Sequence, residues 1–186
     1  MKLIEKLRES TRDQHSKLDQ IPEMKRLTSD SVIANDYKDY LLAFLTIYSN
    51  IEADIYNNSS QYLKGIKSNQ RLLHLKNDLQ QFKVQNLTQQ STNEIELSGK
   101  EYLGALYVME GSRLGGSLIG KHLTSHLDLD KSNLEFLLSR PSVKWPQIIS
   151  FINEQPEESH VEVINGAQKV FEYFYDQLSV FYKGIE

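Results

Sequence analysis

Apolar residues return every three or four positions along most of this 186-residue chain, the period of an amphipathic helix rather than of a half-buried strand. The chain is therefore read as all-α. Ile4, Leu7, Thr11, His15 and Leu18 make one stripe from about Leu3 to Asp19, and Pro22 stops it. A second helix is expected from Ser29 and Asp30, which can cap it, and carries Tyr37, Leu41, Phe44, Tyr48, Ile51 and Ile55. Leu72, Leu75, Leu79 and Phe82 mark a third, broken near Gly65, and the polar stretch from Gln85 to Gly99 reads as a loop. Ser98 is expected to cap a long fourth helix from about Lys100 to Leu127, with a short helical piece at Leu134 to Leu138. Trp145-Pro146 opens another, since proline at a first helical position loses no hydrogen bond. The last helix, about Glu157 to Lys183, is expected to turn Val161, Ile164, Ala167, Val170, Phe171, Phe174, Leu178 and Phe181 inward. No repeat divides the chain, so residues 1–186 are read as a single domain, a compact bundle of six to eight helices.

Composition narrows the chemistry. With 21 Lys and Arg against 25 Asp and Glu, the formal charge is −4, and no broad basic surface is on offer to nucleic acid. The absence of cysteine excludes disulfides, thiolate nucleophiles, iron–sulfur clusters and sulfur-ligated zinc. No apolar run approaches the ~18 residues of a membrane span, and a cytoplasmic location is expected.

The fourth helix holds the strongest anomaly. Gly104, Gly111, Gly115, Gly116 and Gly120 place five of the 9 glycines within seventeen residues. At roughly 0.8 to 1 kcal/mol each relative to Ala, they cost on the order of 4 kcal/mol of intrinsic helix stability. Close backbone approach is the physical return, either to another helix or to a flat bulky ligand. The number of glycines and the adjacent Gly115-Gly116 pair favour a ligand face.

His15 is the second anomaly, occupying a stripe position that an apolar residue would otherwise take. Arg8 and Arg12 lie seven and three residues before it, near the same face. An imidazole beside two guanidinium groups suits an iron porphyrin, with axial ligation by the histidine and the cations on the carboxylates. A solvated basic flank paired with Glu5, Glu9 and Asp13 is the alternative. His122 and His126 are spaced for a shared metal but lack an evident third ligand, and their place at a helix C-terminus is explained by the dipole. Glu157 and His160 form one Glu-x-x-His where a di-iron bundle needs two. His74 lies beside its stripe and is expected at the surface.

Two separated segments, taken together, resemble the haem oxygenase family, and in particular its short bacterial, biliverdin-producing, bacteriophytochrome-associated branch. Leu7-Arg8-Glu9-Ser10-Thr11-Arg12-Asp13-Gln14-His15-Ser16-Lys17-Leu18-Asp19 is similar to the family's proximal helix. Leu103-Gly104-Ala105-Leu106-Tyr107-Val108-Met109-Glu110-Gly111-Ser112-Arg113-Leu114-Gly115-Gly116 resembles its distal helix. The resemblance implies the haem oxygenase fold, His15 as axial ligand and metal-binding residue, and Arg8 at a propionate. It also implies haem contacts from Arg12, Tyr107, Gly111, Gly115 and Gly116. Gly111, Ser112, Arg113, Gly115 and Gly116 would form the distal catalytic surface. Many members have an aspartate where this chain has Ser112, and the Trp145 to Asn153 segment lacks the basic residues that meet the second propionate in several relatives.

The implied activity is oxidative cleavage of haem b, at once cofactor and substrate, to biliverdin, carbon monoxide and ferrous iron, with O2 as co-substrate. Electrons would come from a ferredoxin, a flavodoxin or a reductase. Two alternatives stay open at this point: a non-catalytic haem-binding or haem-transfer protein on the same fold, suggested by Ser112, and a helical domain whose glycines serve packing alone.

Overall fold

A computed structural model describes residues 1–67, 70–84 and 95–184. Among them are nine α-helices: α1 (Leu3–Ser10), α2 (Arg12–Asp19), α3 (Pro22–Arg26), α4 (Ala34–Ser59), α5 (Gln70–Gln80), α6 (Glu101–His126), α7 (Glu135–Leu138), α8 (Trp145–Asn153) and α9 (His160–Lys183). Short 3₁₀ turns at Lys131–Asn133 and Glu157–Ser159 precede α7 and α9, and no strand occurs among the described residues. Most of the expected loop, residues 85–94, lies outside the described residues. No described helix is long and apolar enough to cross a membrane.

The expected first helix is two. Thr11 leaves helical geometry at φ −111° and ψ 5°, while its hydroxyl donates to the Leu7 carbonyl at 2.7 Å. Such back-bonding bends a helix. The bend has a consequence for the site: α1 buries Leu3, Ile4 and Leu7, whereas α2 buries nothing completely and is free to present one side to a cavity.

Other boundaries shift for local reasons. α4 starts at Ala34 rather than at Ser29 or Asp30, because the Asp36 carboxylate accepts the Ile33 N–H at 2.9 Å and satisfies the helix end there. Ser98 is not the N-cap of α6; Glu101 instead reaches back to accept the Ser98 N–H at 2.9 Å. Val161, expected inside, is 67% exposed, since the inward face of α9 runs through Val163, Gly166, Ala167, Val170 and Phe174. His74 is half-buried and pairs with Glu135 at 2.9 Å rather than standing at the surface.

The core is organised around the crossing of α6 and α9. A Cβ on Gly104 would fall on the Val163 carbonyl and lie 2.6 Å from the Ala167 nitrogen, and a Cβ on Gly166 would fall on the Glu101 carbonyl. The two backbones touch there. Further along α6, a Cβ on Gly120 would lie 2.7 Å from Leu138, which lets α7 lie against the helix. α7 is held from its other end by Asp78 of α5, whose carboxylate accepts the Glu135 N–H at 2.9 Å, the Phe136 N–H at 2.8 Å and the Tyr37 hydroxyl at 2.7 Å. Burial raises the Asp78 carboxyl above its ordinary range, while the Phe136 amide and the Tyr37 hydroxyl oppose that shift.

Gly166→Ala is expected to destabilise the fold by about 1–3 kcal/mol, the usual cost of overpacking, because backbone rather than a flexible side chain must give way. Val161→Ala at the exposed face should stay within about 0.5 kcal/mol of the parent. Urea denaturation midpoints of the two variants check the contrast.

Candidate functional site

The bend at Thr11 and the glycines of α6 leave a cavity of about 370 Å³ between α2 and α6. A cavity of that size suits a small molecule. Its walls are largely aromatic and aliphatic: Tyr40 and Phe44 from α4, Phe171, Phe174 and Leu178 from α9. Met24 of α3 and Trp145 of α8 close two further sides.

His15 faces this space from α2. Its side chain is 62% exposed, so the stripe that places it inward leads to a cavity and not to packed core. The ring stands edge-on to Phe171, with 5.8 Å between centroids. Its Nδ1 lies 2.9 Å from the Asp19 carboxylate one turn later. A carboxylate on Nδ1 selects the tautomer that carries its proton there, which leaves the Nε2 lone pair for a metal.

Opposite stands α6, where the glycines divide into two kinds. Gly104 and Gly120 are packing residues, as the crossings with α9 and α7 require. Gly111 and Gly115 line the cavity: a Cβ on Gly115 would meet nothing within 4 Å, and one on Gly111 only the Trp145 ring at 3.5 Å. Gly116 also lines the cavity while sitting 3.3 Å, by the same measure, from Leu137. Both benefits of glycine are therefore used on one helix. A planar ligand can lie against bare backbone between Gly111 and Gly115, which fits a porphyrin face.

The cavity mouth is polar. Arg8, Arg12, Thr11, Ser16 and Tyr107 gather there with His15 and Asp19. Burial raises the pKa of the Tyr107 hydroxyl, and the neighbouring Arg8 cation and Thr11 hydroxyl oppose the rise. Arg8 and Tyr107 also line the main cavity, whereas Arg12 lines only the mouth. Two guanidinium groups at the open end suit the carboxylates of a ligand whose apolar body lies inside.

Ser112 lines the cavity, but Arg113 does not. One residue along a helix turns the side chain by about 100°, and Arg113 is buried on another face. Its Nε lies 2.8 Å from the Glu110 carboxylate, and its Nη1 donates to Ser139 Oγ at 3.3 Å. Glu110 in turn accepts the Tyr56 hydroxyl. Arg113, expected on the distal surface, stands in a buried ion pair with Glu110 in this structure.

Ser112 is joined to residues outside the expected set. Arg71 of α5, 1% exposed, donates through Nη1 to Ser112 Oγ at 2.6 Å, to the Tyr48 hydroxyl, and to the Met109 carbonyl at 3.3 Å. Tyr48 and Ser112 oxygens are 3.2 Å apart. Glu52 accepts the backbone N–H groups of Arg71 at 3.0 Å and Leu72 at 2.9 Å. A charged residue four before Leu75 and eight before Leu79 lies on their buried face, and that spacing was the available signal.

The remaining histidines are spoken for elsewhere. His122 and His126 stack at 3.8 Å, with His122 Nε2 against the Ser29 carbonyl at 3.0 Å and His126 beside Asp30 at 3.4 Å. His160 lies between Lys6 and the Gln155 carbonyl. No group of three or more His, Asp or Glu able to hold a metal occurs among the described residues.

A family model described as Heme oxygenase matches residues 1–179. Solved structures with the same fold include the NO- and CO-bound heme oxygenase of Neisseria meningitidis, 18% identical, with a TM-score of 0.77 over 98% of this chain and 93% of that one. Heme oxygenase of Leptospira interrogans is also 18% identical, with a TM-score of 0.68 over 97% of this chain and 100% of that one. No curated protein matches the sequence.

Gly115→Leu tests the assignment of the glycine face. The position has room for a side chain and leucine forms helix better than glycine, so the apoprotein should melt no lower than the parent. The same leucine fills the space opposite His15, and hemin titration should show affinity reduced by roughly tenfold or more, equivalent to about 1.4 kcal/mol.

Proposed function

The chain belongs to the haem oxygenase family, and on that premise we propose that it is an oxidoreductase that holds haem b on His15 and cleaves it to biliverdin, carbon monoxide and ferrous iron. The observation that carries this reading is the pairing of His15, held by Asp19, with the bare Gly111 to Gly115 backbone across a cavity of about 370 Å³. Haem supplies both the iron at which O2, the co-substrate, is activated and the carbon skeleton that is opened.

Each protein group has a definable task. His15 offers a neutral imidazole Nε2, and Asp19 holds the ring in that tautomer and orientation. Arg8, Arg12 and Tyr107 would hold the propionates at the mouth. Gly111, Gly115 and Gly116 keep bulky acid or base groups away from the distal face and leave room for a small ligand beside the porphyrin edge. Ser112 brings a short hydroxyl side chain of α6 to that face. The aromatic floor of Tyr40, Phe44, Phe171 and Phe174 would exclude bulk water from a haem held there.

The reading assigns reducing equivalents to a separate ferredoxin, flavodoxin or reductase, because the chain has no cysteine with which to hold a cluster. Supply of biliverdin to a bacteriophytochrome is the role suggested by the branch that the two motifs resemble.

Titration of purified apoprotein with hemin should give a Soret band saturating at one equivalent. Addition of ascorbate or a ferredoxin system in air with catalase should then replace that band with biliverdin absorption. His15→Ala should abolish the low-spin or aquo-ferric spectrum. Stoichiometric binding without degradation would instead favour the haem-carrier reading, which the serine at position 112 supports, and an unchanged spectrum in His15→Ala would overturn the ligand assignment.

A further inference from the structure

Arg71 is among the largest fully buried side chains of the protein, and the chemistry assigned above does not use it. Among the described residues its guanidinium meets only neutral acceptors: the Tyr48 hydroxyl, Ser112 Oγ at 2.6 Å, the Met109 carbonyl at 3.3 Å and the Phe136 carbonyl at 3.5 Å. The rings of Phe136 and Tyr48 flank it, with centroids 4.3 and 4.7 Å from the guanidinium carbon. Its buried Nε has no hydrogen-bond acceptor among the described residues. The nearby Glu52 carboxylate is committed to backbone N–H groups, and Glu110 to Arg113 and Tyr56. Burying a cation without a carboxylate partner is costly, so the arrangement calls for a use.

Hydrogen-bond bookkeeping identifies one. Arginine can only donate. Because Arg71 donates to both hydroxyl oxygens, the protons of Tyr48 and Ser112 must go elsewhere. Burial raises the Tyr48 phenol above its ordinary pKa although Arg71 opposes the rise, so Tyr48 keeps its proton and can direct it to Ser112 Oγ, 3.2 Å away. Both lone pairs of Ser112 are then filled, one by Arg71 and one by Tyr48. Its own proton points to the Met109 carbonyl at 2.7 Å, an oxygen inside α6 that the helical backbone N–H four residues on also serves. Ser112 can therefore turn that proton into the cavity it lines without leaving the carbonyl unpartnered. A hydroxyl polarised by a buried cation is a strengthened donor.

We propose that Arg71 is a positioning residue that makes Ser112 a dedicated hydrogen-bond donor to a small anion held in the cavity against α6. The assignment rests on haem binding as proposed above. It gives the distal face a donor where a carboxylate would present an acceptor.

Fluoride, an anion that binds ferric hemin and gains from a nearby donor, is the probe, and imidazole, which needs no such donor, is the control. Both are titrated at fixed pH into the hemin-loaded protein and followed in the Soret region. Ser112→Ala should weaken fluoride binding by roughly tenfold, the size of one charge-assisted hydrogen bond, and leave imidazole within about twofold. Arg71→Met should do the same, Arg71→Lys should retain part of the affinity, and the double variant should bind fluoride no more weakly than either single one. Equal loss of both ligands in Arg71→Met would reduce Arg71 to a packing role and overturn the proposal. Unchanged fluoride affinity in Ser112→Ala overturns it as well. Should Arg71→Met fail to fold, Ser112→Ala and Arg71→Lys decide, and both must weaken fluoride selectively. Failure of the parent protein to take up hemin would bring down the functional reading and this proposal together, whereas hemin uptake with unchanged fluoride affinities removes the proposal alone.

Discussion

The approach of two backbones where α6 crosses α9 sets the rest of the molecule. Gly104 and Gly166 allow the helices to meet with no side chain between them, each bringing its Cα against a carbonyl of the other. Such a crossing admits little sliding, since movement by one residue would bring a Cβ onto backbone. It fixes the separation of α6 from Phe171 and Phe174 farther along α9, and those aromatic rings floor the cavity. The second half of α6 is held by α7 at Gly116 and Gly120, and α7 is held by Asp78. The glycine wall of the site is thus clamped on its outer side and bare on its inner side.

The opposite wall depends on a smaller device. α1 and α2 meet at Thr11, where the backbone departs from helical angles. Bending there lets Leu3, Ile4 and Leu7 bury themselves while His15 faces open space. Thr11 achieves this with its own hydroxyl and at the same time borders the polar mouth. Stability and site geometry are linked through a single side chain.

This division explains how much the sequence discloses. Periodicity reports which residues lie on one helical face, so the helix order, the ends of α6 and the inward side of α9 through Ala167, Val170, Phe171, Phe174 and Leu178 were all legible. Local competition at helix ends is less so: Asp36 and Glu101, not Ser29 or Ser98, supply the carboxylates at the starts of α4 and α6. The α2 stripe was read correctly as facing inward, but periodicity does not distinguish a face that meets core from one that meets a cavity. Glycine spacing likewise announced close approach without saying to what, and the answer differs between Gly104 and Gly115. A contiguous motif spans all sides of a helix, so it does not tell Ser112, which lines the cavity, from Arg113, which pairs with Glu110. Arg71 was missed because its partners come from α4, α6 and the Phe136 carbonyl of α7, none near it in sequence.

Charge shows the same difference between global and local reading. A formal charge of −4 describes the field far from the protein, yet the cavity lies between cations. Arg8 and Arg12 stand at its mouth in solvent, where each is screened and the entry of a ligand carboxylate displaces little but water. Arg71 lies behind the opposite wall, out of solvent, where screening is weak and its field acts through Ser112. The two sources therefore serve different ends of a bound ligand. The exposed pair can orient carboxylates without strongly favouring any inner charge, while the buried cation can favour negative charge at the inner face without competing for those carboxylates. A surface arginine in place of Arg71 would lose that separation, which supplies a physical reason for bearing the cost of a desolvated guanidinium that has no carboxylate against it.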